Sequence, residues 1–196
     1  MRREIQTNDF VNNSLFIVVP YEFIINITDL SWSELYFGVK CGFIIPDAAI
    51  DKAVKLIEQE KEISTTLFDL GSLYKHESSL VEKYLVELVE LEPLQDITAI
   101  REKWLYLILS WLFNHQEQYN ILYAEVPYEI EGVYEKVSVI WDDFERTSIL
   151  ENLFVNKDTI NDTSDFILNN DKSDLTDFYQ EWENYLNKQE ERFKPL

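Results

Sequence analysis

One stretch of the chain, residues 104–113, is apolar at every position except for the hydroxyl-bearing Tyr106 and Ser110. A helix that is apolar around its whole circumference has to be surrounded by other elements. Asp96 is a good N-cap for such a helix, and residues 97–114 would span about 27 Å at 1.5 Å per residue. Because that length is close to the width of a small domain, the sequence predicts a central buried helix with the remaining elements packed around it.

Helical signals dominate the rest of the chain. Capping-box patterns occur at residues 31–34, 79–82 and 148–151, and each predicts a helix start. Gly42 is suited to end the first of these helices, and Pro46 to open the next one. We therefore expect an all-α fold, an irregular multi-helix bundle or array around the helix at 97–114. The apolar run at 15–19 is compatible with a short strand or with a helix entry.

The chain length of 196 residues favours one domain. We expect a frayed N-terminus at 1–14 and a single helical domain at 15–196. Eleven of the seventeen residues at 156–172 are Asn, Asp, Ser or Thr, which predicts a polar loop. Only one helix, at 173–193, follows that loop, and one helix is not a domain. It should dock back onto the rest.

Cysteine content and the N-terminal residues bear on location. Cys41 is the single cysteine, so no internal disulfide can form. The apolar run at 15–19 is shorter than the 7–15 or so residues of a secretory signal and the roughly 20 of a membrane span. We expect a cytoplasmic protein.

The net charge is −20, from 37 acidic and 17 basic residues. Such a chain repels nucleic acid and anionic membranes, because both are polyanions. It attracts basic proteins, so we expect a basic protein partner and neither nucleic acid nor a membrane. Solubility alone also accounts for the acidity, because added Asp and Glu raise solubility.

Residues for catalysis are sparse. His76 and His115 lie at no metal-ligand spacing, and Cys41 has no local base signature. The four glycines are too scattered for a phosphate-binding loop. We predict no catalytic residue, no metal site and no cofactor, with Cys41 buried and His115 at the end of the central helix.

An acidic face is predicted after Pro127. The apolar positions between Ile130 and Trp141 recur at helical spacing, and three carboxylates fall on the opposite side. Like charges four residues apart cost a helix about 0.2–0.5 kcal/mol per pair, a cost that neutral residues would avoid. The alternatives are a solvated face or paired carboxylates, such as Asp142 and Asp143, that serve a metal-assisted reaction. The predicted partner-binding residues are Glu125, Glu129, Glu131, Glu135, Asp142, Asp143 and Glu145.

Residues 102–114, with the sequence EKWLYLILSWLFN, resemble the signature helix of a small bacterial family of unknown function. The SWSELxxG segment at 31–38 and the GFII segment at 42–45 resemble the N-terminal part of that family. The resemblance covers about residues 20–155 and leaves out the polar loop and the last helix. The family pattern has an acidic-Phe-acidic-Tyr-Pro turn after the signature helix, to which residues 141–144 correspond only approximately and without the proline.

That family looks like immunity proteins, which are cytoplasmic antidotes to bacterial toxins. The resemblance implies that the chain neutralises a cognate toxin domain by stoichiometric binding. Many such toxins are nucleases, whose basic surfaces hold phosphates, and an acidic antidote can compete for such a surface. A regulatory or scaffold protein with another basic partner shares the same features, and an enzyme that uses surface carboxylates is the second alternative.

Overall fold

The computed structural model describes residues 9–59, 63–115, 132–154 and 172–194. These residues form α-helices and 3₁₀ turns and no strand, so the predicted all-α fold is confirmed. The 3₁₀ turns are Lys75–Leu80 and Ser148–Leu150. The helices are α1 (Tyr21–Ile27), α2 (Trp32–Cys41), α3 (Asp47–Gln59), α4 (Thr65–Gly71), α5 (Val81–Leu91), α6 (Ile97–Asn114), α7 (Val133–Asp143), α8 (Glu151–Phe154) and α9 (Lys172–Phe193).

The central helix α6 has the predicted bounds. Asp96 caps it by accepting a hydrogen bond from the Thr98 amide at 3.0 Å, and His115 follows its last turn. Every residue from 103 to 110 is buried, including the hydroxyl-bearing Tyr106 and Ser110. The flanking helices α2 and α9 pack on α6, while α3, α4 and α5 pack on one another beside them.

The contact between α2 and α6 converges on Glu34. Ser31 and Glu34 form the predicted capping box at the start of α2. From α6, Lys103 donates to the Glu34 carboxylate at 2.9 Å, and the Trp104 indole donates to the Glu34 carbonyl at 2.7 Å. A Cβ on Gly38 would lie 2.0 Å from the Trp104 ring, so only glycine admits this approach. The two segments that carry the family resemblance therefore meet in the core.

The other two predicted capping boxes are wrong. The 3₁₀ turn Lys75–Leu80 runs directly into α5, so Leu80 takes the N-cap position with helical backbone angles and no side-chain cap bond. At the third site Thr147 is the N-cap, and Ser148 lies inside the 3₁₀ turn. In both places the serine lacks the extended backbone that an N-cap requires.

Residues 9–14 are packed rather than frayed, and residues 1–8 lie outside the described part. Val11 is buried, and the Phe10 ring lies 5.7 Å from that of Phe37. Of the two alternatives for residues 15–19, the short strand does not form, and the segment leads into α1. The segment alternates between buried and exposed residues, but among the described residues its one backbone bond to a neighbouring segment is from Val19 N to Phe43 O, at 2.8 Å. An extended segment without a partner strand is not a sheet.

The last helix, α9, packs on the central helix. The Trp182 indole is fully buried against Phe113 of α6, and the Phe193 ring stacks on Tyr106. The helix begins at Lys172, one residue earlier than expected. Residues 156–171 of the predicted polar loop lie outside the described residues. Within the described part, no helix is both long and apolar enough to cross a membrane.

Candidate functional site

The predicted acidic residues fall into three groups. Glu125, Glu129 and Glu131 lie outside the described residues. Glu135 lies in the first turn of α7, and the remaining three, Asp142, Asp143 and Glu145, lie at its C-terminal end. These two ends are about 10 Å apart along the helix axis, so the described carboxylates do not form one row.

The three carboxylates at the C-terminal end of α7 each contact another part of the chain. Asp142 pairs with Arg146 at 2.6 Å, and Glu145 pairs with Arg101 of α6 at 3.1 Å. Asp143 accepts hydrogen bonds from the backbone amide and the hydroxyl of Ser14, at 2.8 and 2.6 Å. The side chains of Asp142 and Glu145 are nevertheless 53% and 71% exposed, so both carboxylates remain accessible to a partner.

Strained backbone is concentrated at this same place. In the described part of the chain, the non-glycine residues with positive φ are Phe16 (51°), Glu145 (58°) and Arg146 (53°). A left-handed conformation costs a bulky residue about 1–3 kcal/mol and persists only where the surroundings enforce it. The bonds from Ser14 to Asp143 join the two strained segments. We call residues 13–17 the Phe16 loop and residues 142–146 the α7 corner.

The Phe16 loop is held from both sides. The Asn13 side chain accepts from the Ile17 amide at 2.8 Å and donates to the carbonyls of Ile17 and Gly42, at 2.9 and 3.0 Å. The side chains of Leu15 and Ile17 are buried, whereas Phe16 between them is 74% exposed. The loop thus holds the backbone of a solvent-exposed aromatic residue in a strained conformation.

The α7 corner is equally fixed. Phe144 is buried and stacks on Phe43, with ring centroids 5.9 Å apart. The Arg146 amide donates to the Trp141 carbonyl at 2.8 Å, and the Arg146 guanidinium lies over the Trp141 ring. The Trp141 indole donates to the carbonyl of Thr147 at 2.9 Å. The two segments, joined by the bonds between Ser14 and Asp143, therefore carry the exposed Phe16 on one side and the carboxylates of Asp142 and Glu145 on the other.

The cysteine and the histidines considered for catalysis or metal binding are not part of the Phe16 loop or the α7 corner. Burial raises the pKa of the Cys41 thiol to about 11, so the thiolate is strongly disfavoured. The His115 ring stacks on Trp111, and its Nδ1 lies 2.9 Å from the Trp111 carbonyl oxygen. The side chain of His76 lies outside the described part. Across the described ranges, no three His, Cys, Asp or Glu side chains are grouped so that they could hold a metal ion.

Sequence reasoning identified the acidic residues of this surface but missed Phe16 and Arg101. Phenylalanine gives no local sign of a left-handed conformation, because glycine and asparagine are the residues that favour it. The residues at 15–19 are all apolar, so the sequence held no alternation that would have marked Phe16 as the exposed one.

Comparison with known proteins gives a family but no characterised relative. Neither a curated protein nor a solved structure matches the chain. One family model, described as an uncharacterized protein conserved in bacteria, matches residues 21–190. That span contains α2, α6 and the α7 corner, and it extends beyond residue 155, where we expected the resemblance to end. The chain therefore belongs to this bacterial family, DUF2247.

Proposed function

We propose that this chain is a non-enzymatic, cytoplasmic binding protein that neutralises a basic protein partner, the cognate toxin domain of a bacterial toxin. The observation that carries the proposal is the meeting of the Phe16 loop with the α7 corner. Bonds between Ser14 and Asp143 join these two segments, which together carry the exposed ring of Phe16, the exposed carboxylates of Asp142 and Glu145, and all the described non-glycine residues with positive φ.

The strain supports a role in binding. Glycine or asparagine at position 16 would relax the backbone, and a polar side chain there would interact better with water. Phenylalanine satisfies neither preference. Aromatic residues that enter a partner's pocket contribute much of the energy of protein–protein interfaces, and a loop whose backbone is already held by hydrogen bonds loses little backbone entropy on binding.

The charge supports a basic partner. A net charge of −20 attracts such a partner over long range, and Asp142 and Glu145 supply local carboxylates beside the aromatic anchor. An antidote that acts at low cellular concentration needs nanomolar affinity, about −12 kcal/mol. Charge speeds the encounter, while the buried anchor slows dissociation. A basic nuclease is the class of toxin that best complements this negative charge.

The test is co-expression with the toxin domain encoded by a neighbouring gene. The unmodified chain should form a 1:1 complex and restore growth, and Phe16→Ser should raise the dissociation rate at least about tenfold, as the loss of an interface anchor does. The matched control is Phe68→Ser on α4, which removes another exposed phenylalanine, one that is 57% exposed. Equal effects of the two substitutions would contradict the proposed surface, and the lack of any complex would contradict the function.

A further inference from the structure

A second feature of the surface is a groove of about 710 Å³ where the end of α5 turns into α6. Its volume lies within the roughly 300–1,000 Å³ of pockets that bury a ligand. Val89, Ile97 and Ile100 provide apolar walls. Leu91 and Leu94, which also line it, are 72% and 61% exposed. Two exposed leucines beside a groove indicate a contact surface rather than ordinary solvent-facing residues.

The charge of the groove has one sign. Four of the described residues that line the groove carry carboxylates, and no described lining residue is Lys, Arg or His. The four are Asp9, Glu90, Glu92 and Asp96. Two of these carboxylates are fixed by backbone amides. Glu92 accepts from the amides of Trp32 and Ser33 at 2.7 and 2.9 Å, and Asp96 accepts from that of Thr98 at 3.0 Å. An apolar groove with fixed carboxylates is complementary to a ligand that is both apolar and cationic.

Arg101 links the groove to the surface that we propose for the toxin. Arg101 donates through its Nε to the carbonyl of Asp9, which lines the groove, at 3.0 Å. The same guanidinium donates to the Glu145 carboxylate at 3.1 Å. One side chain thus connects the edge of the groove to the α7 corner, so a single macromolecule can contact both.

We propose that the groove binds a basic amphipathic helical segment of the partner protein. This inference rests on the proposed function and specifies which part of the partner is recognised. Leucine-type side chains at helical spacing enter between Leu91, Leu94 and the α6 wall, as in other helix-in-groove complexes. Lysine or arginine side chains on the flanks of the segment meet Glu90 and Asp96.

The direct probe is a labelled synthetic peptide of leucine and lysine, about four helical turns long, with leucines on one face. We expect it to bind the full chain at physiological salt, as measured by fluorescence anisotropy. A peptide with the same lysines and with serine in place of leucine should bind at least about tenfold more weakly, because it lacks the anchors. A peptide with glutamate in place of lysine should not bind. Equal binding of the leucine and serine peptides would overturn the proposal.

Variants of the chain locate the binding. Leu91→Ser with Leu94→Ser removes exposed side chains, and Glu90→Gln with Asp96→Asn removes two charges while asparagine retains the cap on α6. Each pair of substitutions should weaken binding of the peptide at least about fivefold, since anchors and charge pairs carry the affinity of an interface. The control pair Glu181→Gln and Glu183→Gln removes the same charge from the exposed face of α9 and should change binding less than about twofold.

Each remaining outcome bears on one of the two proposals. If the control pair weakens binding of the peptide as much as the groove pairs do, the peptide responds only to the net charge of the chain and the inference fails. If the chain forms a dimer that Leu91→Ser disrupts, a second copy is the occupant and the inference also fails. If the toxin complex forms and no groove variant affects it or the peptide, the inference fails while the proposed function stands. If the peptide binds in the groove and the chain binds no toxin, the proposed function fails while the groove remains a site for basic amphipathic helices.

Discussion

Phe16 is the residue whose backbone and side chain have opposite requirements. Its left-handed backbone suits glycine, while its exposed ring needs a partner to be buried. Relief of the strain returns about 1–3 kcal/mol, and glycine adds about 0.4–1 kcal/mol of unfolded-state entropy. We therefore expect Phe16→Gly to leave the free energy of unfolding equal or higher, by up to about 2 kcal/mol, while toxin binding is lost. Urea unfolding measures the first effect and titration of the complex the second.

The control for this substitution is two residues away. Val18 is 46% exposed and has no positive φ, so Val18→Gly gains no relief and should lower stability. If Phe16→Gly lowers stability as much as Val18→Gly does, the left-handed conformation stores no strain.

Gly38 is a residue that the core itself requires. A Cβ there would lie 2.0 Å from Cζ2 of Trp104, whose ring is fully buried and tethered by its bond to the Glu34 carbonyl. Since the indole cannot move aside, Gly38→Ala should lower the free energy of unfolding by at least about 1–3 kcal/mol, the usual cost of overpacking. Thermal unfolding measures it. Gly71→Ala is the control, because there the new Cβ would be too close only to the flexible end of Ile57 and would lie at an ordinary 3.6 Å from Ala53. A loss as large at Gly71 would contradict this account.

At the scale of elements, the ion pair between Lys103 and Glu34 holds α2 on α6. Both side chains are nearly buried, at 10% and 13% exposure. Lys103→Met leaves the Glu34 carboxylate buried without its cation, which costs about 3–5 kcal/mol. Chemical unfolding should show this loss, and adding Glu34→Gln should restore part of it.

An exposed ion pair provides the comparison. Lys40 and Glu82 approach to 2.7 Å between α2 and α5, but their side chains are 34% and 54% exposed. Lys40→Met should cost less than about 1 kcal/mol, because water screens such pairs. Similar losses for the two lysine substitutions would mean that burial does not set the strength of the α2–α6 contact.

The elements that could be predicted are those whose signals are local or continuous. The bounds of α6 follow from an uninterrupted apolar run with Asp96 before it, and the start of α2 follows from a capping box that forms as written. The same pattern fails at 79–82, because a preceding 3₁₀ turn occupies the site where the serine would need extended backbone. Tertiary contacts that no local pattern encodes decide such cases.

The candidate site was predictable only in its charge. Asp142 was identified from helical spacing, and Asp143 and Glu145 as acidic neighbours of it. The pair of Asp142 with Arg146 is local, but the contacts of Asp143 with Ser14 and of Glu145 with Arg101 depend on how distant segments pack. The groove at the α5–α6 turn was not predicted either, because its walls come from residues whose sequence pattern is that of ordinary core positions.

At the scale of the whole molecule, buried tyrosines predict how stability responds to alkali. Desolvation by burial, with nearby carboxylates adding to it, raises the pKa of Tyr21 and Tyr134 from 10.0 to about 12. The folded state thus favours the neutral phenol. That contribution is fully present below pH 10 and is lost as the pH rises towards 12. The urea midpoint should fall across this window, and replacing both tyrosines by phenylalanine should reduce the fall. An unchanged midpoint would contradict the raised pKa values.

The net charge of −20 predicts how ionic strength affects complex formation. Added salt screens the attraction, so the association rate with a basic partner should fall at least about tenfold between low salt and about 0.5 M. The dissociation rate should change much less, because it depends on the buried anchors. Stopped-flow mixing separates the two rates. An association rate that does not depend on salt would remove the electrostatic part of the mechanism.

The family match begins at residue 21, downstream of the Phe16 loop, and it includes both halves of the contact at Glu34. The matched helices and the Phe16 loop therefore belong to separate parts of the chain, which the hydrogen bonds of Asn13 and Ser14 join. If the Phe16 loop contacts the partner as we propose, two chains that share this scaffold can differ in what they recognise through changes confined to residues 13–17.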